Sequence, residues 1–185
     1  MSDPIYHGAT AARGYNRSFG SASVQIVPTL LRIAQVNVGQ RVLDIATGTG
    51  IAAGAAVALV GPTGHVVAAD LSGPMLEQAR QRLSDLPNVT FSIEDGQALT
   101  APDGQFDTVL CNMALMLFPD PLRGLLEFHR VLRNDGRAAV SVNTVSERSF
   151  VSRIATSIGR HVPSKAATAA QYFSLGDPPA SSFAV

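Results

Sequence analysis

Arg41-Val42-Leu43-Asp44-Ile45-Ala46-Thr47-Gly48-Thr49-Gly50, followed by the small-residue run Ile51 to Val60, decides how this chain of 185 residues is read. Val42, Leu43 and Ile45 suit a strand buried on both faces. Asp44 sets a carboxylate near the strand's end, where burial demands a partner. Gly48 and Gly50 permit a tight turn, and the alanine-rich run after them reads as a helix. Strand, glycine turn and helix together place a ligand at the carboxyl edge of a parallel sheet. On this segment alone two kinds of ligand stand level. Gly48-Thr49-Gly50-Ile51-Ala52-Ala53 fits the G-x-G-x-x-A form of a dinucleotide site, with Asp70 20 residues beyond Gly50. The carboxylates suit hydroxyl and amine donors better than phosphates.

Outward from that stretch, strands and helices alternate. Upstream, Val27, Leu30, Leu31 and Ala34 recur at helical spacing, which predicts a helix over 24–35. Downstream, Gly61-Pro62-Thr63-Gly64 stops the alanine-rich helix, and His65 to Asp70 reads as a second strand. Ser72 caps a helix with Pro74 in its first turn and Leu76, Ala79 and Leu83 as its apolar stripe. Asn88 to Ile93 and Phe106 to Cys111 read as the third and fourth strands. Asp120 and Pro121 open a helix whose expected apolar face is Leu122, Leu125, Leu126 and Leu132, stopped at Asn134-Asp135-Gly136. Arg137 to Asn143 is the expected fifth strand. The pattern predicts an α/β fold with a Rossmann-like parallel sheet. Residues 147–160 and 166–172 are expected as helices.

Bulk properties exclude several classes of function. Fourteen basic and fourteen acidic residues cancel, so no net field draws the chain to nucleic acid or anionic lipid. Aromatic residues make up 6% and Trp is absent, which argues against stacking on single strands. Mean hydropathy is +0.18, above that of disordered chains. The longest apolar run is about half a membrane span, and the opening Met1-Ser2-Asp3-Pro4 resembles no signal peptide. A soluble, cytoplasmic protein of one domain (1–185) is therefore expected: an arm over 1–23, a core over 24–145 and an incomplete part over 146–185. The single cysteine, Cys111, is expected to be buried and inert. The histidines lack metal-ligand spacing, so no metal site is expected. His129 reads as a core or helix residue, and Tyr15 in the arm as packing or a cofactor contact.

The strand ends carry the functional reading. Asp44, Asp70, Asp95 and Asn112 each close a strand, and in a parallel sheet those ends share one rim. Capping explains some of them singly, but four at successive strand ends point to one crevice.

Beyond the glycine turn, the chain resembles the class I S-adenosylmethionine-dependent methyltransferases, in particular the ubiquinone and menaquinone biosynthesis subgroup. Val42 to Gly50 is similar to that family's first motif, Asp70-Leu71-Ser72-Gly73-Pro74-Met75-Leu76 to its second, and Asp95-Gly96-Gln97-Ala98-Leu99 to its adenine-contacting segment. Phe106 to Asn112 and Arg130 to Arg137 resemble its fourth strand and the turn before the fifth. The likeness covers about 25–145. It implies S-adenosyl-L-methionine as cofactor and a small-molecule methyl acceptor, with transfer to carbon or oxygen. By the same resemblance, Asp44 and the backbone of Ala46, Thr47 and Gly48 hold the methionine part. Asp70 takes the ribose hydroxyls, Leu71 and Met75 pack on the adenine, Asp95 accepts from its amine beside the Gly96 amide, and Asn112 and Met113 line the sulfonium side. No catalytic residue is assigned, because methyl transfer from a sulfonium needs positioning and desolvation more than a base. An NAD-dependent oxidoreductase and a cofactor-binding fragment without catalysis are the alternatives.

Two departures stand out. Ala46 replaces a glycine common in the family, and Asn134 a proline. The family sheet has seven strands, of which five are legible here, with the C-terminal hairpin strands missing. The resemblance thus implies either a truncated chain or a fifth strand covered by another chain, an edge open to self-association.

Overall fold

A computed structural model of the chain describes residues 20–142, with side chains from residue 23 onward. The arm with Tyr15 and the helices expected over 147–160 and 166–172 lie outside the described residues.

Strands β1 (Arg41–Ile45), β2 (His65–Asp70), β3 (Val89–Ile93), β4 (Phe106–Asn112) and β5 (Leu132–Ser141) form one parallel sheet in the order β3-β2-β1-β4-β5. The chain runs outward from β1 to β3 and then returns to lay β4 against the other side of β1. That reversal creates a switch point between β1 and β4, and the crevice at their carboxyl ends is where such sheets take ligands.

Strand alternation sorts the core into two layers. Val42, Val66, Ala68, Leu110 and Ala139 join one cluster, with helices α1 (Gly20–Ala34) and α2 (Ile51–Val60) packed on them. Leu43, Ile45, Ala69, Val109 and Cys111 join the other, with Phe106, Phe128 and Val131. Asp44 shares the first layer's face with Val42 and so points toward α1 and α2.

The expected stripe of α1 is buried at all four positions: Val27, Leu30, Leu31 and Ala34. The helix starts four residues earlier than its apolar spacing indicates, and Ser23 continues the stripe one turn upstream, also buried. Pro28 sits inside it on the exposed face, where the lost amide bond meets solvent. In α2, alanines at 52, 53 and 56 let the helix approach the sheet, and Gly54 lies where a Cβ would meet Leu83 Cδ2 at 2.9 Å. Helix α3 (Gly73–Arg82) is capped by Ser72, whose hydroxyl accepts from the Met75 amide at 3.4 Å.

Helix α4 (Pro121–Val131) corrects the sequence reading. Its cap is as expected, with Asp120 Oδ1 accepting from the Arg123 amide at 3.0 Å. Its leucines, however, are outside: Leu122, Leu125 and Leu126 are 66%, 40% and 62% exposed. Gly124, Phe128 and Val131 make the inward line instead. The cause is Phe118, which packs edge-on against Phe128 and fills the space a Cβ on Gly124 would need. His129 is an exposed helix residue, not a core one. The helix also ends at Val131, and Leu132 already pairs with Phe106 in the sheet. The expected turn Asn134-Asp135-Gly136 bulges within β5, because the register jumps from Phe106↔Leu132 to Thr108↔Arg137. Arg133 in the bulge pairs with Asp107, whose other oxygen accepts from the Arg41 amide at 2.7 Å.

Among the described residues β5 pairs with β4 alone. No described helix is long and apolar enough to cross a membrane.

Candidate functional site

The loop after β1 takes its shape from three left-handed residues, Ala46 (φ +53°), Gly48 (+57°) and Gly50 (+79°). At Gly50 close packing adds a second constraint, since a Cβ would meet Ala79 Cβ at 3.1 Å. The Thr47 amide donates to Ala69 O at 3.0 Å, tying the loop to the end of β2. The Gly48 amide donates to Asp70 Oδ2 at 2.8 Å, and the Ser72 amide to Asp70 Oδ1 at 2.8 Å. Asp70 is thereby oriented by two backbone donors, and a carboxylate so held keeps lone pairs for further donors.

Asp44 is fully buried. Its Oδ2 accepts from the Thr47 hydroxyl at 2.6 Å, while Oδ1 has no hydrogen-bond partner among the described residues. Burial pushes this carboxyl up to about 7 and the nearby negative Asp70 adds to the rise, against the Thr47 hydroxyl and the Ala53 amide, which lies near the carboxyl but outside hydrogen-bond geometry. Cys111 on β4 is pushed up to about 12, first by burial and then by Asp44, so it is a thiol and not a nucleophile.

Asn112 closes β4 across the switch point. Its Oδ1 accepts from the Ser141 hydroxyl at 2.7 Å, and that hydroxyl accepts from the Met113 amide at 2.9 Å. Met113 turns at φ +56° and also donates to Ser141 O at 2.9 Å. A cleft of about 20 Å³ lies between the two strand ends, with Asp44, Ala46, Thr47 and Asn112 in its lining. Ser23 of α1 lines it as well, with Thr49, Ile51 and Ala52 at the start of α2. Sequence reasoning missed Ser23, although its place on the α1 stripe, as a small polar residue among apolar ones, was the available signal.

Further along the rim, Leu71 is 53% exposed beside Asp70, and Ile93, the register partner of Asp70, is 63% exposed. Ile93 was not singled out in the sequence. Asp95 is exposed and its Oδ1 accepts from the Gln97 amide at 2.9 Å. Gly96 is buried where a Cβ would come within 2.5 Å of Phe118 Cζ. Met75 stands apart from the others. It is 3% exposed, on the inward face of α3, and as placed offers no surface to the crevice. Among the described residues no cluster of His, Cys, Asp and Glu could hold a metal ion.

An all-parallel sheet with helices on both faces, a glycine loop at its switch point and acidic strand ends is the architecture of the Rossmann-like class I methyltransferases. The family model described as "Methyltransferase domain" matches residues 42–136, and the chain belongs to that family. The ubiquinone/menaquinone biosynthesis C-methyltransferase UbiE of Pseudomonas fluorescens is 38% identical over 130 residues, which are 67% of this chain and 50% of that protein. Demethylmenaquinone methyltransferase of Clavibacter sepedonicus is 40% identical over 123 residues, 66% of this chain and 49% of that protein. The chain spans about half the length of these curated relatives. The crystal structure of a SAM-dependent methyltransferase from Aquifex aeolicus shares the fold, with a TM-score of 0.68 at 19% identity over 85% of this chain and 87% of that one.

Proposed function

We propose that this chain binds S-adenosylmethionine at the β1–β4 crevice and transfers its methyl group to a small-molecule acceptor. The observation that carries the reading is the buried Asp44 oxygen without a partner, beside a carboxylate already oriented by the glycine loop. An unpaired buried carboxyl oxygen fits an ammonium group, and Asp70 fits a pair of ribose hydroxyls. The same geometry speaks against a dinucleotide. The Gly48 amide, which a pyrophosphate would need, is taken by the Asp70 carboxylate, which would also repel phosphate from the loop.

In this reading Asp44, Ser23 and Thr47 surround the amino end of the methionine part, and the Ala46 to Gly48 backbone follows it. Asp70 fixes the ribose. Leu71 and Ile93 offer apolar surface to the adenine, and Asp95 accepts from its amine. Asn112 and Met113 line the side from which an acceptor approaches. The bound sulfonium supplies an activated methyl group. The residues hold both reactants in line and keep water out, which is where the rate gain of such a reaction arises. The names of the two relatives point to a quinone-like carbon acceptor, and we extend that here to a small apolar ring.

Calorimetry with S-adenosylhomocysteine tests the reading. The intact chain is expected to bind it and to ignore NAD. Asp70→Ala is expected to weaken binding about a hundredfold, the worth of two charge-assisted hydrogen bonds. A folded chain that binds NAD but not S-adenosylhomocysteine would overturn it.

A further inference from the structure

The proposed ligand carries an ammonium, and the place for it is not an ordinary ion-pair site. Asp44 is withdrawn from solvent, and the groups that face it from the surrounding elements are few. From β2 comes Asp70, another acid, and from β4 the Cys111 thiol. Helix α2, Ile51–Val60, carries no titratable side chain. The only cation in α1 is Arg32, exposed near the helix's far end. Arg41 stands at the opposite end of β1, about 10 Å away by strand rise. Among the described residues, then, nothing positive stands by to hold Asp44 as a carboxylate. A lone buried charge is costly, and such a group takes up a proton instead.

We propose that ligand uptake here is coupled to the release of a proton: the ligand-free chain holds Asp44 as the neutral acid, and an ammonium entering against Oδ1 converts it to the carboxylate. This rests on the methyltransferase reading above and deepens it. The geometry accommodates both states. The Thr47 hydroxyl, 2.6 Å from Oδ2, accepts from a protonated Oδ2 or donates to a charged one. The cleft, at about 20 Å³, has room for one water-sized group, which is the size of an ammonium. The proton departs to solvent, the charge on Asp44 is matched by the one that arrives, and no covalent bond to carbon or sulfur changes. Desolvation, which pushes Asp44 up to about 7, puts the exchange in the neutral range. Below that value each binding event must expel a proton, so affinity rises with pH and levels off above it.

Calorimetric titration of the intact chain with S-adenosylhomocysteine, in phosphate and in Tris at each pH, counts the protons directly. The ligand's amino group, with the high pKa of a free amino acid, stays protonated across the range used. About one proton is expected to be released at pH 6, about half at pH 7 and almost none at pH 8, with affinity about tenfold stronger at pH 8 than at pH 6. 5′-Methylthioadenosine, which lacks the amino-acid part, should bind without releasing a proton. Thr47→Val, which removes a group that stabilises the charged form, should move the release to higher pH. Binding of S-adenosylhomocysteine without proton release would overturn the proposal and leave the methyltransferase reading standing. Equal release with methylthioadenosine would place the proton elsewhere and also overturn it. Absence of binding by the folded chain at every pH would remove both.

Discussion

Ala46 holds φ +53° where its relatives' resemblance leads one to expect glycine, and the strain of that backbone is specific to the side chain. An L-residue in the left-handed region brings Cβ against the following carbonyl at a cost of about 1–2 kcal/mol. Glycine removes the clash but gives back about 0.5–1 kcal/mol in chain entropy. Ala46→Gly is therefore expected to stabilise the chain by no more than about 1 kcal/mol, whereas the β-branched Ala46→Val should cost about 2 kcal/mol or more. Urea unfolding of the three chains checks this. A glycine variant less stable than Ala46→Val would show that the left-handed turn is absent in solution. Of the site residues, those at strand ends were legible because the period of a parallel sheet fixes where its ends lie. Asp44, Asp70 and Asn112 gather at or beside the switch point for that reason. Met75 is buried on the inward face of α3, a position that the helix phase already indicates. If Leu76, Ala79 and Leu83 face inward, a residue four before Ala79 faces inward too.

At the scale of elements, α1 and α4 show when apolar spacing identifies a buried face and when it does not. Helix α1 is apolar along a single stripe, so one orientation buries it. Helix α4 has two apolar sides, Leu122, Leu125 and Leu126 on one and Phe128 and Val131 on the other. Counting leucines favours the wrong one. What decides is shape, since Gly124 leaves a hollow in the helix that Phe118 fills, and a glycine carries no hydrophobic signal in the sequence. The end of α4 was misread for a related reason. Asn134-Asp135-Gly136 is turn chemistry, but it serves a bulge inside β5, which only the pairing of both flanks with β4 discloses. The two faces make opposite predictions. Leu122→Ser and Leu126→Ser should change stability by about 0.5 kcal/mol or less. Phe128→Ala, at 1% exposure, should cost about 3–5 kcal/mol. Thermal midpoints that fall equally for the serine and alanine variants would mean that α4 packs through its leucines.

For the molecule as a whole, a buried acid at the ligand site makes global stability depend on pH in an unusual direction. Most carboxyls in folded proteins are held below their unfolded values and strengthen the fold as pH rises; Glu127, lowered first by its hydrogen bond to Arg130, is of that kind here. Asp44 is raised instead, from 3.8 to about 7. Between those values the folded chain binds a proton at this position that the unfolded chain has lost. Unfolding then releases no proton from Asp44 below about 4 and one proton between about 4 and 7, so stability from this group is fully present below about 4 and is lost as pH rises through the folded value. His65, lowered mainly by burial, works the other way near neutrality, which is why the wild type alone is not diagnostic. Asp44→Asn keeps the shape, removes the titration and leaves the other groups in place. Between pH 5 and pH 7 the wild type is expected to lose about 2 kcal/mol of unfolding free energy relative to Asp44→Asn, close to 1.4 kcal/mol for each pH unit below the folded value. Saturating S-adenosylhomocysteine should flatten that difference, because the carboxylate is then matched by the ligand's ammonium and the folded state no longer needs the proton. Denaturant midpoints of both chains across this range, with and without ligand, measure it. A wild type that gains stability over Asp44→Asn as pH rises would mean that Asp44 is already paired in the ligand-free fold.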